Sequence, residues 1–313
     1  MNKKAISTIV SLNYFAQALS LANNVKSFHD EIDMHILIVD ATDSMEVKEE
    51  VKKYSKGIEV VYVSEIGIED FDNMVKRYGV VEMNTAVKPF FLKYLLEKQK
   101  YESIMYIDSD ILLFHRLDKI YQILEEHSVV LTPHLISDEE DEDTVISKLD
   151  DFLQYGIYNL GFIAVKNDEN GKRLIDWWAK ELKSKCFLAP EKFLAWDQKW
   201  MDFAPALFDK VYILRDPGYN VAFWNIQKRF IRNKNQEYFV NDIYPLVFYH
   251  FSHYRLTRKD RIVDLELESR CMPLSERKDL EELYQIYYNS VMAQNFEYFS
   301  KLKYGYANER GYK

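Results

Sequence analysis

Residues 106–114 read Tyr-Ile-Asp-Ser-Asp-Ile-Leu-Leu-Phe, so the carboxylates of Asp108 and Asp110 lie two positions apart between apolar residues that favour strands. Two carboxylates that are desolvated together without a partner cost several kcal/mol, so a positive group must lie beside them. A hard divalent cation, Mg²⁺ or Mn²⁺, takes oxygen ligands and keeps positions open for phosphate oxygens. The alternative is that these carboxylates cap a turn or pair with a nearby Arg. Their place at the end of a buried strand favours the metal.

Upstream of this stretch, short apolar runs alternate with helical patterns, as a parallel sheet with crossover helices requires. The predicted strands are 5–11, 34–39, 58–63 and 103–107, and the predicted helices are 15–28 and 45–54. A further helix has apolar residues at helical spacing from Val87 to Leu95, with Pro89 in its first turn. Such sheets bind ligands, often nucleotides, at the carboxyl ends of their strands.

The downstream half is less regular. Strands are predicted at 158–165 and 243–250, and a helix at 171–184. The acidic run 138–143 predicts a solvated loop within a candidate lid or acceptor loop at 135–155. From Asp279 onward, apolar residues recur at helical spacing, which predicts a C-terminal helix packed on the rest of the chain.

Composition excludes several classes of protein. With 313 residues, 48% of them hydrophobic, the chain has enough apolar material for a core, and a net charge of -9 argues against nucleic acid as a partner. Cys186 and Cys271 are too few and too far apart for a disulfide framework, so both are predicted to be buried thiols. No signal peptide or membrane-spanning run is predicted, which indicates a cytoplasmic protein; a peripheral contact with the inner face of the membrane stays open.

Several short motifs follow one another in a recognisable order. They are Asn13-Tyr14, Thr85-Ala86-Val87-Lys88, Tyr106-Ile107-Asp108-Ser109-Asp110, Tyr158-Asn159-Leu160-Gly161-Phe162, Asp197-Gln198 and His250. In this order the motifs resemble those of GT-A glycosyltransferases, in particular the retaining family 8 enzymes of the glycogenin-like and lipopolysaccharide galactosyltransferase-like type. The segment 217–225, Pro-Gly-Tyr-Asn-Val-Ala-Phe-Trp-Asn, is similar to one in bacterial surface-polysaccharide glycosyltransferases.

The resemblance implies an α/β fold: a GT-A (Rossmann-like) nucleotide-sugar-binding domain with a mixed central sheet and a C-terminal helical extension. The catalytic domain is expected at 1–260 and the extension at 261–313. Asp108, Asp110 and His250 are the implied ligands of Mn²⁺ or Mg²⁺, and Asn159, Asp197 and Gln198 are the implied catalytic residues. The implied donor-binding residues are Ser11, Asn13, Tyr14, Lys88, Asp108, Ser109, Gly161 and Arg255.

Each of these assignments has a plainer alternative. Asn13 and Tyr14 also suit an ordinary helix-start loop, and Lys88 also suits a solvated lysine. A buried Asn159 satisfied by backbone groups, or an Asp197 that caps a helix, fits the same sequence.

The segment after His250 departs from the family pattern His-x-Gly-x-x-Lys. Ser252 replaces the Gly, and Arg255 replaces the Lys that contacts the leaving phosphate. Arg258 is near enough in sequence to be an alternative to Arg255, and a role for His253 is left open. His250 itself also suits a structural histidine.

The function implied is the metal-dependent transfer of a sugar from a nucleotide diphosphate sugar, most simply a UDP-sugar, to a glycan or lipid-linked acceptor. Retention of the anomeric configuration and a role in cell-surface polysaccharide biosynthesis are implied by the same resemblance. Two rival functions fit some of the same residues. One is a metal-dependent phosphohydrolase of nucleotide sugars, and the other is a non-catalytic carbohydrate-binding protein.

Overall fold

The computed structural model of the chain describes residues 3–40, 42–138, 149–264 and 271–307. Its strands are β1 (Lys4–Val10), β2 (Asp33–Ile38), β3 (Glu59–Tyr62), β4 (Ser103–Ile107), β5 (Ile111–Leu113), β6 (Val129–Pro133), β7 (Tyr158–Lys166), β8 (Leu188–Ala189), β9 (Leu194–Ala195), β10 (Val211–Ile213), β11 (Ile231–Lys234), β12 (Glu237–Val240), β13 (Tyr244–Pro245), β14 (Phe248–His250), β15 (Arg261–Val263) and β16 (Met272–Pro273). Its helices are α1 (Phe15–Phe28), α2 (Met45–Tyr54), α3 (Phe71–Arg77), α4 (Val80–Ala86), α5 (Lys88–Glu97), α6 (Asp118–Glu126), α7 (Leu149–Tyr155), α8 (Glu169–Lys185), α9 (Ala204–Leu207), α10 (Glu281–Met292) and α11 (Phe296–Phe299).

The central sheet has seven strands in the order β10-β6-β7-β4-β1-β2-β3. Only β7 runs antiparallel to its neighbours β4 and β6, while the other pairings are parallel. The predicted mixed central sheet is therefore confirmed. Because β7 is reversed, its first residues lie at the same edge of the sheet as the carboxyl ends of β4 and β6.

Alternation along the strands explains why the sheet is buried on both faces. In β4, Met105 and Ile107 belong to the apolar core on one face, and Ile104 and Tyr106 belong to the core on the other. The first core includes side chains of α1, α6 and α10, and the second includes side chains of α3, α4, α5 and α8. Nearly continuous apolar runs such as β4 are what a sheet covered by helices on both faces requires.

The C-terminal helix predicted from position 279 onward is α10, which begins at Glu281. Its buried face packs on α1 and on the segment after β14, where the rings of Phe251 and Tyr287 stack 4.2 Å apart. α10 contributes to the same apolar core as β1 and β4. The domain boundary between residues 260 and 261 stays a prediction.

The strand predicted at 243–250 is wrong, because the structure divides it into β13 and β14. β13 pairs with β12 in a small three-stranded sheet, and β14 pairs with β5. Leu246 N still donates to Tyr238 O on β12, whereas Val247 N donates to Gly218 O, so the chain changes its partner between these two residues. Pro245 has no N–H to donate, which suits the end of a strand.

Three further expectations from the sequence have different outcomes in the structure. Cys186 is buried as predicted, whereas Cys271 is partly exposed. Residues 139–148, which include most of the acidic run and part of the candidate lid, lie outside the described residues. Within the described part of the chain, no helix combines the length and apolar character needed to cross a membrane.

The 217–225 segment approaches β13 so closely that Gly218 has no room for a side chain. A Cβ atom there would lie 1.9 Å from the carbonyl oxygen of Pro245. We expect Gly218→Ala to lower the free energy of unfolding by about 1–3 kcal/mol, because backbone rather than a side chain must move. Urea denaturation followed by circular dichroism measures this loss.

Gly67→Ala is the matched control. Gly67 has a φ of +68°, but nothing lies within 4 Å of its Cβ position, so only backbone strain of about 1 kcal/mol is expected. Equal or smaller destabilisation by Gly218→Ala than by Gly67→Ala would contradict the close packing of the 217–225 segment.

Candidate metal centre and the polar groups around it

Strand pairing brings His250 to the two carboxylates of the β4–β5 turn. His250 lies opposite Ile111 in the antiparallel pair of β14 and β5. Its Nε2 is 3.0 Å from Asp110 Oδ1 and 3.9 Å from Asp108 Oδ2. The backbone fixes the same junction, since Phe251 N donates to the carbonyl oxygen of Asp110 at 2.8 Å. Asp108, Asp110 and His250 therefore form one compact group whose ligand atoms lie within 4.8 Å of one another.

The charges in this group depend on one another. Burial raises the pKa of Asp108 above its ordinary value, and Lys88 only partly offsets this effect. Burial alone would raise the pKa of Asp110, but the charge of His250, its hydrogen bond and smaller backbone and His253 contributions together lower it. Burial disfavours protonated His250, yet the carboxylate of Asp110 raises the pKa of His250 overall. The carboxylate of Asp110 thus favours the protonated imidazole of His250, and burial opposes it.

The group fits a divalent metal ion. The side chains of Asp108 and Asp110 are 32% and 29% exposed, so their oxygens remain accessible, whereas His250 is 4% exposed. Two carboxylates and one imidazole suit Mn²⁺ or Mg²⁺ with positions left for a ligand. Gly161 makes room for the imidazole, because a Cβ atom there would lie 2.6 Å from His250 Cε1.

A second group of potential ligands, His29, Glu31 and Asp118, lies elsewhere among the described residues. Both ring nitrogens of His29 are already engaged, Nε2 with the backbone N–H of Leu117 and Nδ1 with Glu31. Arg116 pairs with both Glu31 and Asp118. These ion pairs and hydrogen bonds account for the second group without a metal.

Lys88 and Asp197 form a buried ion pair beside the candidate metal centre. Lys88 Nζ lies 2.6 Å from Asp197 Oδ2, and the two side chains are 2% and 5% exposed. Lys88 is the first residue of α5. A crossover helix begins at the edge of the sheet where the parallel strands end, so the ammonium of Lys88 is close to β7. There it donates a hydrogen bond to Leu160 O. The alternative of a solvated Lys88 is wrong. Asp197 precedes the 3₁₀ turn Gln198–Phe203 without a capping side-chain hydrogen bond, so the helix-cap alternative is wrong as well.

Tyr106 connects this ion pair to the metal centre. Its hydroxyl donates to Asp108 Oδ1 at 2.5 Å, and Lys88 Nζ lies 4.2 Å from the centroid of its ring. The pKa of Tyr106 is raised by burial and by the nearby carboxylate of Asp108, so the phenol keeps its proton and remains a donor. Nothing in the sequence distinguishes Tyr106 from the many other aromatic residues in predicted strands.

Asn159 lies in a network of amides at the start of β7. Its Oδ1 accepts from Gly161 N and from Asn220 Nδ2, both at 3.2 Å. Its Nδ2 lies 3.4 Å from Nε2 of His134, whose pKa burial lowers to about 4, so this imidazole is neutral and can accept. Asn159 is thus held by side chains as well as by backbone.

Asn220 was missed by the sequence reasoning. It is fully buried, has a φ of +52° and also donates to Thr132 Oγ1. An Asn in the left-handed region within an otherwise apolar and aromatic segment was the available signal.

The turn after β1 carries the residues expected to bind the nucleotide. Leu12 N donates to Asp40 Oδ1 at 2.8 Å, and Ser11 Oγ donates to Asn13 Oδ1 at 2.6 Å. Tyr14 is half-exposed. Burial of its hydroxyl and the carboxylate of Asp110 raise the pKa of Tyr14, whereas Arg255 lowers it. Its hydroxyl therefore lies in the electrostatic field of both the metal centre and Arg255.

The structure joins most of the predicted site residues by direct contacts. These are Lys88, Asp108, Asp110, Asn159, Gly161, Asp197 and His250. Ser109 lies in the same turn as the two carboxylates, but Gln198 Nε2 donates to Tyr155 O, and Arg255 pairs with Asp264. His253 lies outside the metal group and packs edge-on against the ring of Phe223.

Comparison with known proteins gives relatives of low identity. No family model matches the chain. The uncharacterized protein YfnF of Bacillus subtilis is 28% identical over 282 residues, with 90% of each chain covered. YfnD of the same organism is 23% identical over 259 residues, which cover 80% of this chain and 78% of YfnD.

Solved structures are similar in fold. The galactosyltransferase LgtC, in complex with donor and acceptor sugar analogs, superposes with a TM-score of 0.52 at 13% identity over 79% of this chain and 87% of LgtC. The glycosyltransferase GlyE of Streptococcus pneumoniae gives a TM-score of 0.51 at 15% identity over 97% of this chain and 66% of GlyE. Together with the mixed seven-stranded sheet, these similarities show that the chain has the GT-A fold.

Proposed function

We propose that the protein is a metal-dependent glycosyltransferase that moves a sugar from a nucleotide diphosphate sugar to a glycan or lipid-linked acceptor. The observation that carries the proposal is the group of Asp108, Asp110 and His250 at the carboxyl edge of the sheet in a GT-A fold. These side chains would hold Mn²⁺ or Mg²⁺. When bound, the ion stabilises the negative charge that develops on the leaving diphosphate.

Other residues of the chain bind the base of the donor and the transferred sugar. Asn13 and Tyr14 offer an amide and a half-exposed ring to the base of the donor, for which a UDP-sugar is the proposed molecule. Lys88, Asn159 and Asp197 are held rigidly by their contacts with one another or with β7. We place the transferred sugar beside them, where fixed charges and amides stabilise the transition state more than the ground state.

The finer assignments rest on the sequence motifs. Their order supports a retaining enzyme of the family 8 type, and the 217–225 segment supports a role in cell-surface polysaccharide biosynthesis. In the structure this segment supplies Asn220 to the amide network, and Trp224 packs edge-on against His250 with ring centroids 5.3 Å apart. The segment therefore belongs to the surroundings of the proposed site.

The donor class is tested by thermal shift with UDP-, GDP- and dTDP-sugars, each with and without Mn²⁺. A ligand at 100 times its Kd stabilises the native state by about 2.7 kcal/mol, so the true donor raises Tm. We expect the largest rise with a UDP-sugar and Mn²⁺ together. A rise that is independent of Mn²⁺ would contradict the proposed metal site, and a larger rise with GDP- or dTDP-sugars would contradict the proposed base.

Asp108→Asn and Asp110→Asn test the metal ligands. We expect each variant to lose Mn²⁺-dependent donor binding and to lower the transfer rate by on the order of 10²-fold or more. The fold should remain, since removing one of two close negative charges relieves repulsion. Asp118→Asn, in the second acidic group, is the matched control and should transfer at the wild-type rate.

Activity assays with and without acceptor distinguish the rival functions. Full activity in excess EDTA would contradict the metal site. Nucleotide release at an unchanged rate when acceptor is added would indicate the phosphohydrolase. Metal-dependent donor binding without turnover across many acceptors would indicate a carbohydrate-binding protein.

Asp197→Asn separates a catalytic role from a structural one. We expect kcat to fall by on the order of 10²-fold. We also expect stability to fall by about 3 kcal/mol, because Lys88 keeps a buried charge without its carboxylate partner. The double variant Lys88→Met/Asp197→Asn removes that unpaired charge and should regain much of the stability without regaining the rate. An unchanged kcat in Asp197→Asn would remove this residue from the site.

A further inference from the structure

Three arginines converge on one buried carboxylate shortly after the metal ligand His250. Asp264 is 3% exposed, and its oxygens lie 3.2 Å from Arg255 Nε, 3.0 Å from Arg258 Nη1 and 3.5 Å from Arg261 Nη1. Arg258 reaches both carboxylate oxygens, at 3.0 and 3.1 Å. No motif in the sequence marked Asp264, and the proposed function has not used it.

The fold attaches this cluster to the metal centre. Asp264 directly follows β15, and its backbone N–H donates to His253 O at 3.1 Å. In the same segment, Phe251 N donates to Asp110 O. Asp264 is thus bonded to the stretch of chain that carries both His250 and Arg255.

The chemistry of the cluster leaves donor capacity for a further anion. A carboxylate has about four acceptor sites, whereas each guanidinium has five N–H donors. Arg255 approaches Asp264 through Nε, and its side chain is 57% exposed; that of Arg258 is 46% exposed. Guanidinium forks suit phosphate oxygens in bidentate geometry.

We propose that Asp264 is a positioning residue that orients Arg255 and Arg258 as a two-guanidinium clamp for the diphosphate of the donor. The clamp rests on the proposed function, because that function supplies the diphosphate. It resolves the choice between Arg255 and Arg258 by giving both a role. Asp264 touches no substrate and acts through the two arginines.

A purely neutralising role for Asp264 makes the opposite prediction. If this carboxylate only balanced the arginine charges, Asp264→Asn would leave more positive charge and tighten the binding of anions. If it orients the guanidinium groups, the same change weakens binding although the local charge becomes more positive. The direction of the change in Kd therefore separates the two roles.

The test uses inorganic pyrophosphate as the probe, titrated calorimetrically into the full chain at low ionic strength without divalent metal. We expect Arg255→Ala and Arg258→Ala each to raise Kd about tenfold, which corresponds to about 1.4 kcal/mol. Arg232→Ala is the matched control, since it removes an Arg on β11 whose side chain is also more than 40% exposed, at 62%, and should leave Kd unchanged. Asp264→Asn should raise Kd by a similar factor to Arg255→Ala.

A double-mutant cycle tests whether Asp264 acts through Arg255. We expect Asp264→Asn to raise Kd much less in the Arg255→Ala background than in the wild type. A full additional effect in that background, or unchanged or tighter binding by Asp264→Asn, would overturn the positioning role. If Asp264→Asn does not fold, Arg255→Lys is the alternative test variant. It keeps the positive charge but loses the Nε contact with Asp264, so Kd should still rise. Wild-type affinity in Arg255→Lys would then overturn the proposal.

Two further measurements separate this proposal from its alternatives. Retention on phosphatidylglycerol vesicles that falls in the arginine variants, with pyrophosphate affinity unchanged, would make the cluster a membrane contact and overturn the clamp. A wild-type donor KM in Arg255→Ala and Arg258→Ala, with sugar transfer intact, would overturn the clamp and leave the proposed function standing. Arginine-dependent pyrophosphate binding by a protein that transfers no sugar would support an anion clamp and contradict the proposed function.

Discussion

The negative charges of two carboxylates at the end of a buried strand must be compensated by the surrounding structure. Asp108 and Asp110 lie at the end of β4, where apolar neighbours offer no compensation for their charge. The chain answers with His250 from β14 and, through the ring of Tyr106, with Lys88 from α5. It leaves the carboxylates about a third exposed, so a cation can still reach them. The groups that offset the charge of the two carboxylates therefore surround the position at which a metal ion is proposed.

The sequence predicted most of the regular structure because periodicity is a local property. The helices at 15–28 and 45–54 and the strand at 103–107 have the predicted bounds, since apolar spacing and end signals lie within each segment. The prediction of one strand at 243–250 was wrong because the alternation of apolar and polar residues does not reveal where a chain changes its partner strand. The β14–β5 pairing that brings His250 to Asp110 is likewise a contact between distant parts of the chain, and only the resemblance to a known family suggested it.

Buried polar partnerships were the least predictable part of the site. Lys88 and Asp197 were both selected, but nothing local indicates that they neutralise each other. Their pairing changes what each can do: a lysine fixed at 2.6 Å from a carboxylate does not swing freely toward a substrate. Asn220 and Asp264 were not selected at all, because a single Asn or Asp is unremarkable until the fold shows that it is buried and what it bonds.

The family pattern has a lysine where this chain has Arg255. This difference explains why a carboxylate such as Asp264 is needed beside it. An ammonium is a compact charge on a flexible stem, and it can approach a phosphate from many directions. A guanidinium is planar, and its advantage over an ammonium is realised only when its edge faces the phosphate oxygens. An arginine at this position therefore benefits from a partner that fixes its plane, and Asp264 Oδ2 lies 3.2 Å from Arg255 Nε. On this argument the arginine and the buried carboxylate form one functional unit, so a relative with lysine at this position has less need of the carboxylate.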